Sequence, residues 1–183
     1  RYTCHVMRIV GGKYRSRRIQ VPAGLKARPT TDFAKEGLFN VLNNHVDWEE
    51  TSALDLFSGT GSIALELVSR GCPLVVCVEQ NPNHFDFICR AQEKLGAKEL
   101  FPIKADAFKY LHSVKQQFDL VFADPPYDLR DAEKIPGIVI DKKVVKEGGL
   151  FIMEHSKNLD FSRLPHFKEE RKYGNVHFSF FEF

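Results

Sequence analysis

Asp124-Pro125-Pro126-Tyr127 follows the apolar run Phe118–Ala123 and sets an acid, two prolines and an aromatic ring at one strand end. Successive prolines remove two backbone donors and fix φ at both positions, so the turn is stiff. A stiff turn holds the Asp124 carboxylate, the Pro125 carbonyl and the Tyr127 ring in one arrangement. Two acceptors beside a flat ring suit a planar base that carries an amino group. The same residues could also do no more than end a strand, so the rest of the chain must decide.

A second constellation lies upstream. Leu54-Asp55-Leu56-Phe57-Ser58-Gly59-Thr60-Gly61-Ser62-Ile63-Ala64 puts a Gly-x-Gly turn between an apolar strand and a helix. Glycines let a backbone approach a ligand closely, and a helix N-terminus offers free N–H groups. The next strand ends in Glu79, well placed for ribose hydroxyls. Gly59-x-Gly61-x-x-Ala64 also fits a dinucleotide fingerprint, which alone discriminates weakly. Asp55, inside the strand before the turn, can hold the loop or accept from an ammonium group. No polar cluster follows for a second nucleotide. Ala105-Asp106-Ala107 closes a third strand, where Asp106 can accept from an adenine amino group, cap the next helix, or both.

Around these residues the elements read as follows. Met7–Val21 is a hairpin: a strand Met7–Val10, a Gly11-Gly12 turn, and a second strand Lys13–Val21. A helix follows with Thr31 or Asp32 as N-cap and Ala34, Leu38, Val41 and Leu42 on its apolar face. From Ser52 strands and helices alternate. Strands are expected at Ala53–Phe57, Leu74–Glu79, Glu99–Lys104, Phe118–Ala123 and Gly149–Glu154. Helices are expected at Ser62–Arg70, Asn83–Leu95, Ala107–Val114 and about Asp131–Lys146. Near-continuous apolar strands such as Leu74–Val78 belong in a parallel sheet covered on both faces. Phe167–Tyr173 and Val176–Phe183, joined by Gly174-Asn175, form an antiparallel hairpin appended to that sheet. The architecture is α/β, a doubly wound, mostly parallel sheet. Asp55, Gly59, Gly61, Glu79, Asp106 and Asp124 then all fall at carboxyl ends of consecutive strands, the edge where such sheets bind ligands.

Composition sets the outer bounds. The 183 residues suit one domain, with residues 1–30 as a basic arm and 31–183 as the body. No apolar run approaches the ~18 residues that span a bilayer, and no signal peptide is visible. Cys4, Cys72, Cys77 and Cys89 lack Cys-x-x-Cys spacing and read as buried thiols in a reducing compartment, with no metal site. A cytoplasmic home is expected. The net charge of +2 conceals an asymmetry: residues 1–31 hold eight cations and no acid, and the remainder carries −6. Such an arm suits a polyanion, with Arg8, Lys13, Arg15, Arg17, Arg18, Lys26 and Arg28 as its contacts. Arg1–Val6, before Met7, is expected to be a vector-derived remnant or to follow an upstream start. His45, His84, His112 and His155 are scattered without ligand spacing, and Trp48 is expected in a core or interface.

An adenosine-type cofactor site beside an acid–Pro–Pro–aromatic turn resembles the class I S-adenosylmethionine-dependent methyltransferases that act on exocyclic amino groups. Met7–Gly12, Arg28-Pro29-Thr30-Thr31-Asp32, Lys35–Asn40, Leu54–Gly61 and Asp124–Tyr127, in that order, narrow the resemblance to the bacterial 16S ribosomal RNA guanine-N2 methyltransferase family RsmD, over essentially Met7 to Phe183. The resemblance implies a seven-stranded Rossmann-like sheet, S-adenosylmethionine as cofactor, and methylation of a guanine N2 in the small-subunit head. Its cofactor residues fall on Asp55, Phe57, Ser58, Gly59, Thr60, Gly61, Glu79, Gln80, Asp106 and Ala107, and its catalytic ones on Asp124, Pro125, Pro126 and Tyr127. The partner implied is 16S RNA in an assembled or partly assembled 30S subunit, bound by a monomer. One departure is Phe33, where the family often has a basic residue. An arm neutralising about five phosphates gives a slope of log K against log[salt] near −3.5 to −4.5. Three competing readings are a DNA adenine-N6 or protein-amide methyltransferase, a non-catalytic ribosome-assembly protein, and, least favoured, an NAD oxidoreductase.

Overall fold

The computed structural model describes residues 5–25 and 30–183. Arg1, Cys4, Lys26 and Arg28 lie outside the described residues. Strands β1 (His5–Arg8) and β2 (Arg18–Val21) pair antiparallel with Met7 opposite Ile19. Helix α1 covers Asp32–Asn43, and the alternating body follows: β3 (Ser52–Leu56), α2 (Ser62–Arg70), β4 (Leu74–Glu79), α3 (Pro82–Leu95), β5 (Leu100–Lys104), α4 (Ala107–Ser113), β6 (Phe118–Ala123), α5 (Ile135–Asp141), β7 (Val145–His155), β8 (Phe167–Tyr173) and β9 (Val176–Glu182). The seven-stranded sheet has the order β5-β4-β3-β6-β7-β9-β8. Strands β3 to β7 run parallel, and β9 and β8 close the edge antiparallel. Strand order reverses between β3 and β6, which opens a crevice at their carboxyl ends. This is the doubly wound α/β fold that the sequence pattern requires.

The sheet separates two apolar cores. One packs Leu54, Val121, Phe151 and Met153 under Leu111, Ile135 and Val139 of α4 and α5. The other packs Ala53, Leu120 and Ile152 against Leu38, Leu67 and Ile88 of α1, α2 and α3. Met7, Ile9, Ile19 and Val21 belong to that second core, so the hairpin shares its burial with the body.

Two expectations are corrected. Gly11-Gly12 is no hairpin turn: β1 ends at Arg8, β2 begins at Arg18, and the segment between them folds over α2. Local turn chemistry loses to acceptors on that helix. Glu66 accepts from the Val10 and Gly11 backbone at 2.8 and 2.9 Å, and the Ser69 carbonyl accepts from Lys13 N at 2.8 Å. Gly12 has φ +78°, and a Cβ there would stand 1.9 Å from the Ser69 oxygen. The glycines thus serve close approach to a helix. The long helix over Asp131–Lys146 is also absent. A 3-10 turn at Ala132–Lys134 leads into α5, which stops at Asp141; Lys143 then takes a positive φ and β7 starts at Val145. Val145 pairs with Phe118, and a register shift around Gly148-Gly149 lets the strand resume at Leu150.

Beneath the folded arm lies a buried charge network. Lys35 and Glu66 are 1% and 0% exposed. Lys35 Nζ donates to the Arg8 carbonyl (3.1 Å) and Ser62 Oγ (2.9 Å) and pairs with Glu66 at 3.2 Å. Arg70 Nε holds the second Glu66 oxygen at 2.9 Å. Burial pulls the Lys35 pKa below its ordinary value although the Glu66 carboxylate opposes it. Glu66 itself stays below the ordinary carboxylate value, because Lys35, the arm's backbone N–H groups and Arg70 outweigh its own desolvation.

Candidate active site

A cavity of about 390 Å³ opens at the carboxyl ends of β3, β4 and β6, within the ~300–1,000 Å³ typical of small-molecule sites. Asp55, Glu79, Asp124 and Pro125 share its wall with the β3–α2 loop.

That loop is shaped by its own residues. Phe57, Gly59 and Gly61 all have positive φ (58°, 58° and 80°). For Phe57 this conformation is strained, and such strain persists where surrounding contacts enforce it. Ser58 N donates to the Val78 carbonyl at 2.9 Å and Gly61 N to the Ser58 carbonyl at 2.8 Å. Gly59 N donates to Glu79 Oε1 at 2.7 Å, while Asn81 N donates to Oε2 at 2.8 Å. Two backbone donors therefore aim the Glu79 carboxylate, leaving its other lone pairs for hydroxyls. A Cβ on Gly59 would meet nothing within 4 Å, so this backbone faces open space where a ligand can lie.

Asp55 is fully buried and accepts from Ser58 Oγ at 2.8 Å. Burial pushes its pKa up to about 7; the Ser58 and Ala64 hydrogen bonds oppose the rise, and the Glu79 and Glu154 carboxylates add to it. The residue holds the loop and is poised to ionise beside a cation.

At the β6 end, Asp124 is half-buried, Pro125 buried and Pro126 exposed. Leu129 N returns to the Pro126 carbonyl at 3.0 Å and closes the turn. Tyr127 stands outside the cavity wall and is 49% exposed. Asp106 caps α4 by accepting from Lys109 N at 3.0 Å and also lies outside the wall, as does Gly61. Phe57, Ser58, Gly59, Thr60, Gln80 and Ala107 line it.

Three wall or rim residues escape a sequence reading. Thr30 and His84 line the cavity. Glu154, 1% exposed at the carboxyl end of β7, accepts from Thr30 Oγ1 at 3.0 Å. The rule that singles out Asp124, an acid ending an apolar strand, would also single out Glu154. His155 beside it is a core residue, joined to Ser179 Oγ at 2.7 Å, and its pKa falls through burial. Among the described residues no group of His, Cys, Asp and Glu could hold a metal ion.

The arm's cations divide. Arg8 pairs with Asp32 and Glu36, and Lys13 with Glu99 at 2.6 Å. Arg15, Arg17 and Arg18 are exposed, with no ion pair among the described residues.

Sheet order, crevice and cavity wall together define a class I methyltransferase. The chain belongs to the family described as Conserved hypothetical protein 95, whose model matches residues 7–182; this is the RsmD family of methyltransferases. A relative from Buchnera aphidicola, named Ribosomal RNA small subunit methyltransferase D, is 27% identical over 179 residues, 96% of this chain and 91% of that protein. The structure of the Thermus thermophilus hypothetical protein TTHA0928 superposes with a TM-score of 0.85 at 28% identity, over 96% and 99% of the two chains. The fold alone is shared with the Thermus thermophilus 16S rRNA N2 G1207 methyltransferase RsmC, solved with AdoMet and guanosine: TM-score 0.77, 20% identity, 98% of this chain and 50% of that one.

Proposed function

We propose that this methyltransferase transfers a methyl group from S-adenosylmethionine to the N2 amino group of a guanine in 16S ribosomal RNA. The observation that carries the reading is the placement of Asp124 and Pro125 in one cavity wall with Asp55, Glu79 and the open Gly59 backbone. The names of the Buchnera relative and of RsmC point to the same substrate class.

The donor set fits the cofactor. Glu79 suits the ribose diol, Asp55 an ammonium or sulfonium charge, and the loop backbone a closely lying chain; Phe57 and Ala107 offer apolar contact to a base. Bound there, S-adenosylmethionine supplies an electrophilic methyl group. A guanine amino group is a weak nucleophile because its lone pair is delocalised into the ring. Asp124 and the Pro125 carbonyl accept its two N–H bonds, which frees the lone pair to point out of the plane. The Asp124 carboxylate then stabilises the positive charge that develops on nitrogen, and the proton leaves through it. The exposed Tyr127 ring covers the base face. Such a base must be unpaired or flipped to enter.

We further place the protein in the cytoplasm as a monomer acting on assembled or partly assembled 30S subunits. Among the described residues no helix is long and apolar enough to cross a membrane, and the exposed arginines of the arm suit a phosphate backbone. The test is incubation with labelled S-adenosylmethionine and undermethylated 30S subunits, beside naked 16S RNA, duplex DNA and an Asp124→Ala control. N2-methylguanosine in subunits, absent with the variant, is expected. Label in DNA or protein would transfer the reading to a different amino substrate. Tight RNA binding without label would make the chain an assembly protein.

A further inference from the structure

We infer that Phe33, braced by Tyr173, is a stacking ledge for an unpaired RNA base beside the methylated one; this rests on the RNA reading above. Phe33 is 64% exposed, the most exposed of the large apolar side chains among the described residues. It lies in the first turn of α1, three residues after Thr30, which lines the cavity and bonds Glu154.

The ring is held from beneath. Tyr173 meets Phe33 edge-to-face, with centroids 5.8 Å apart at 76°. Tyr173 in turn lies on Gly37, one helical turn after Phe33, and donates its hydroxyl hydrogen to the Gly37 carbonyl at 3.3 Å. A Cβ on Gly37 would come within 2.2 Å of the Tyr173 ring. A mid-helix glycine is destabilising relative to alanine. Here that cost leaves room for the tyrosine that supports Phe33. An apolar ring built out into water in this way, with one side against Tyr173, keeps most of its surface open.

The surroundings choose the partner. On the neighbouring side of α1, Arg8 bridges Asp32 and Glu36 at 3.4 and 3.2 Å and offsets one of their two charges. Arg18 sits opposite Arg8 in the β1–β2 pair and is exposed. An exposed aromatic ring three residues from the cavity wall at Thr30, with the exposed Arg18 on the strand pair that Arg8 ties to α1, is a combination suited to single-stranded nucleic acid, the ring stacking a base and the cation following a phosphate. An apolar protein segment would gain nothing from the flanking cations.

The experiment compares wild type, Phe33→Ala, Phe33→Trp and Arg18→Ala. Two readouts are used: anisotropy of a labelled unpaired guanine-containing RNA oligonucleotide over a salt series, and methyl transfer to 30S subunits. Phe33→Ala should weaken oligonucleotide binding about 5- to 150-fold, equally at every salt concentration, with S-adenosylmethionine affinity unchanged. Phe33→Trp should restore binding. Arg18→Ala should instead make the salt slope shallower. Unchanged oligonucleotide affinity in Phe33→Ala overturns the ledge, and a defect confined to 30S subunits overturns it in favour of a ribosomal protein contact. If wild type methylates no RNA while Phe33→Ala still weakens the oligonucleotide, the reaction reading fails and the ledge stands.

Discussion

Asp124 and Asp55 face one cavity, and each makes a separate demand on experiment. If Asp124 acts on the charge that appears during transfer, as proposed, Asp124→Ala should lower kcat by about 10²–10³-fold, as loss of a preorganised electrostatic group does elsewhere. Cofactor binding, followed by calorimetry, should persist. Asp55 bears on stability. Its folded pKa of about 7 exceeds the ordinary 3.8, so between about pH 4 and 7 the native state keeps a proton that the unfolded chain has released. Stability must then fall as pH rises through this window and level off above it. Asp55→Asn has no such proton to lose. Urea unfolding should show the variant gaining on wild type from pH 4 to 7; a constant difference would mean that Asp55 ionises normally in the native state. The sequence discloses Asp124 because its partners are contiguous with it. Glu154 ends an apolar strand by the same rule, but it has no contiguous motif to mark it, and its partner Thr30 is 124 residues away.

Among the elements, α2 does more than cover the sheet. Its Glu66 terminates a contact chain from β1 through Lys35 and also fixes the backbone of residues 10 and 11. Glu66→Ala would strand Lys35 without a counter-charge and remove acceptors for two N–H groups. A loss of about 3–5 kcal/mol is expected by chemical denaturation, with faster tryptic cleavage at Arg15 and Arg17. Cleavage at the wild-type rate would show that the arm is held some other way. In α1, Gly37→Ala should reverse the usual sign of a helical glycine replacement, lowering the melting temperature because the new methyl meets the Tyr173 ring. The strands and helices of the body are legible from periodicity to within a residue or two, apart from α5 and the start of β7. The arm is not. Gly-Gly between β-prone runs is a local signal, and the acceptors that overrule it, Glu66 and Ser69, belong to a helix more than fifty residues downstream.

For the whole molecule, charge is sorted as much by pairing as by number. Seven basic residues of the arm are candidate RNA contacts by sequence, yet Arg8 and Lys13 are occupied by Asp32, Glu36 and Glu99. If Arg15, Arg17 and Arg18 alone neutralise phosphates, the slope of log K against log[salt] should be about −2 to −3, shallower than the uncorrected cation count gives. A slope near −5 would bring the paired residues back as direct contacts.

The sheet order also has a consequence for how the chain is made. Strand β9 lies between β7 and β8 although it follows both in sequence. Until Val176–Glu182 has been synthesised, β7 presents an open, apolar edge to the cell, and β8 has nothing to pair with. Strand β7 can lean on β6, but β8 cannot settle until β9 has been made, so this edge of the sheet is completed out of sequence order. Open edges of this kind invite pairing with other chains. Nascent chains stalled before β9 should therefore associate with chaperones, whereas those extended through it should be released.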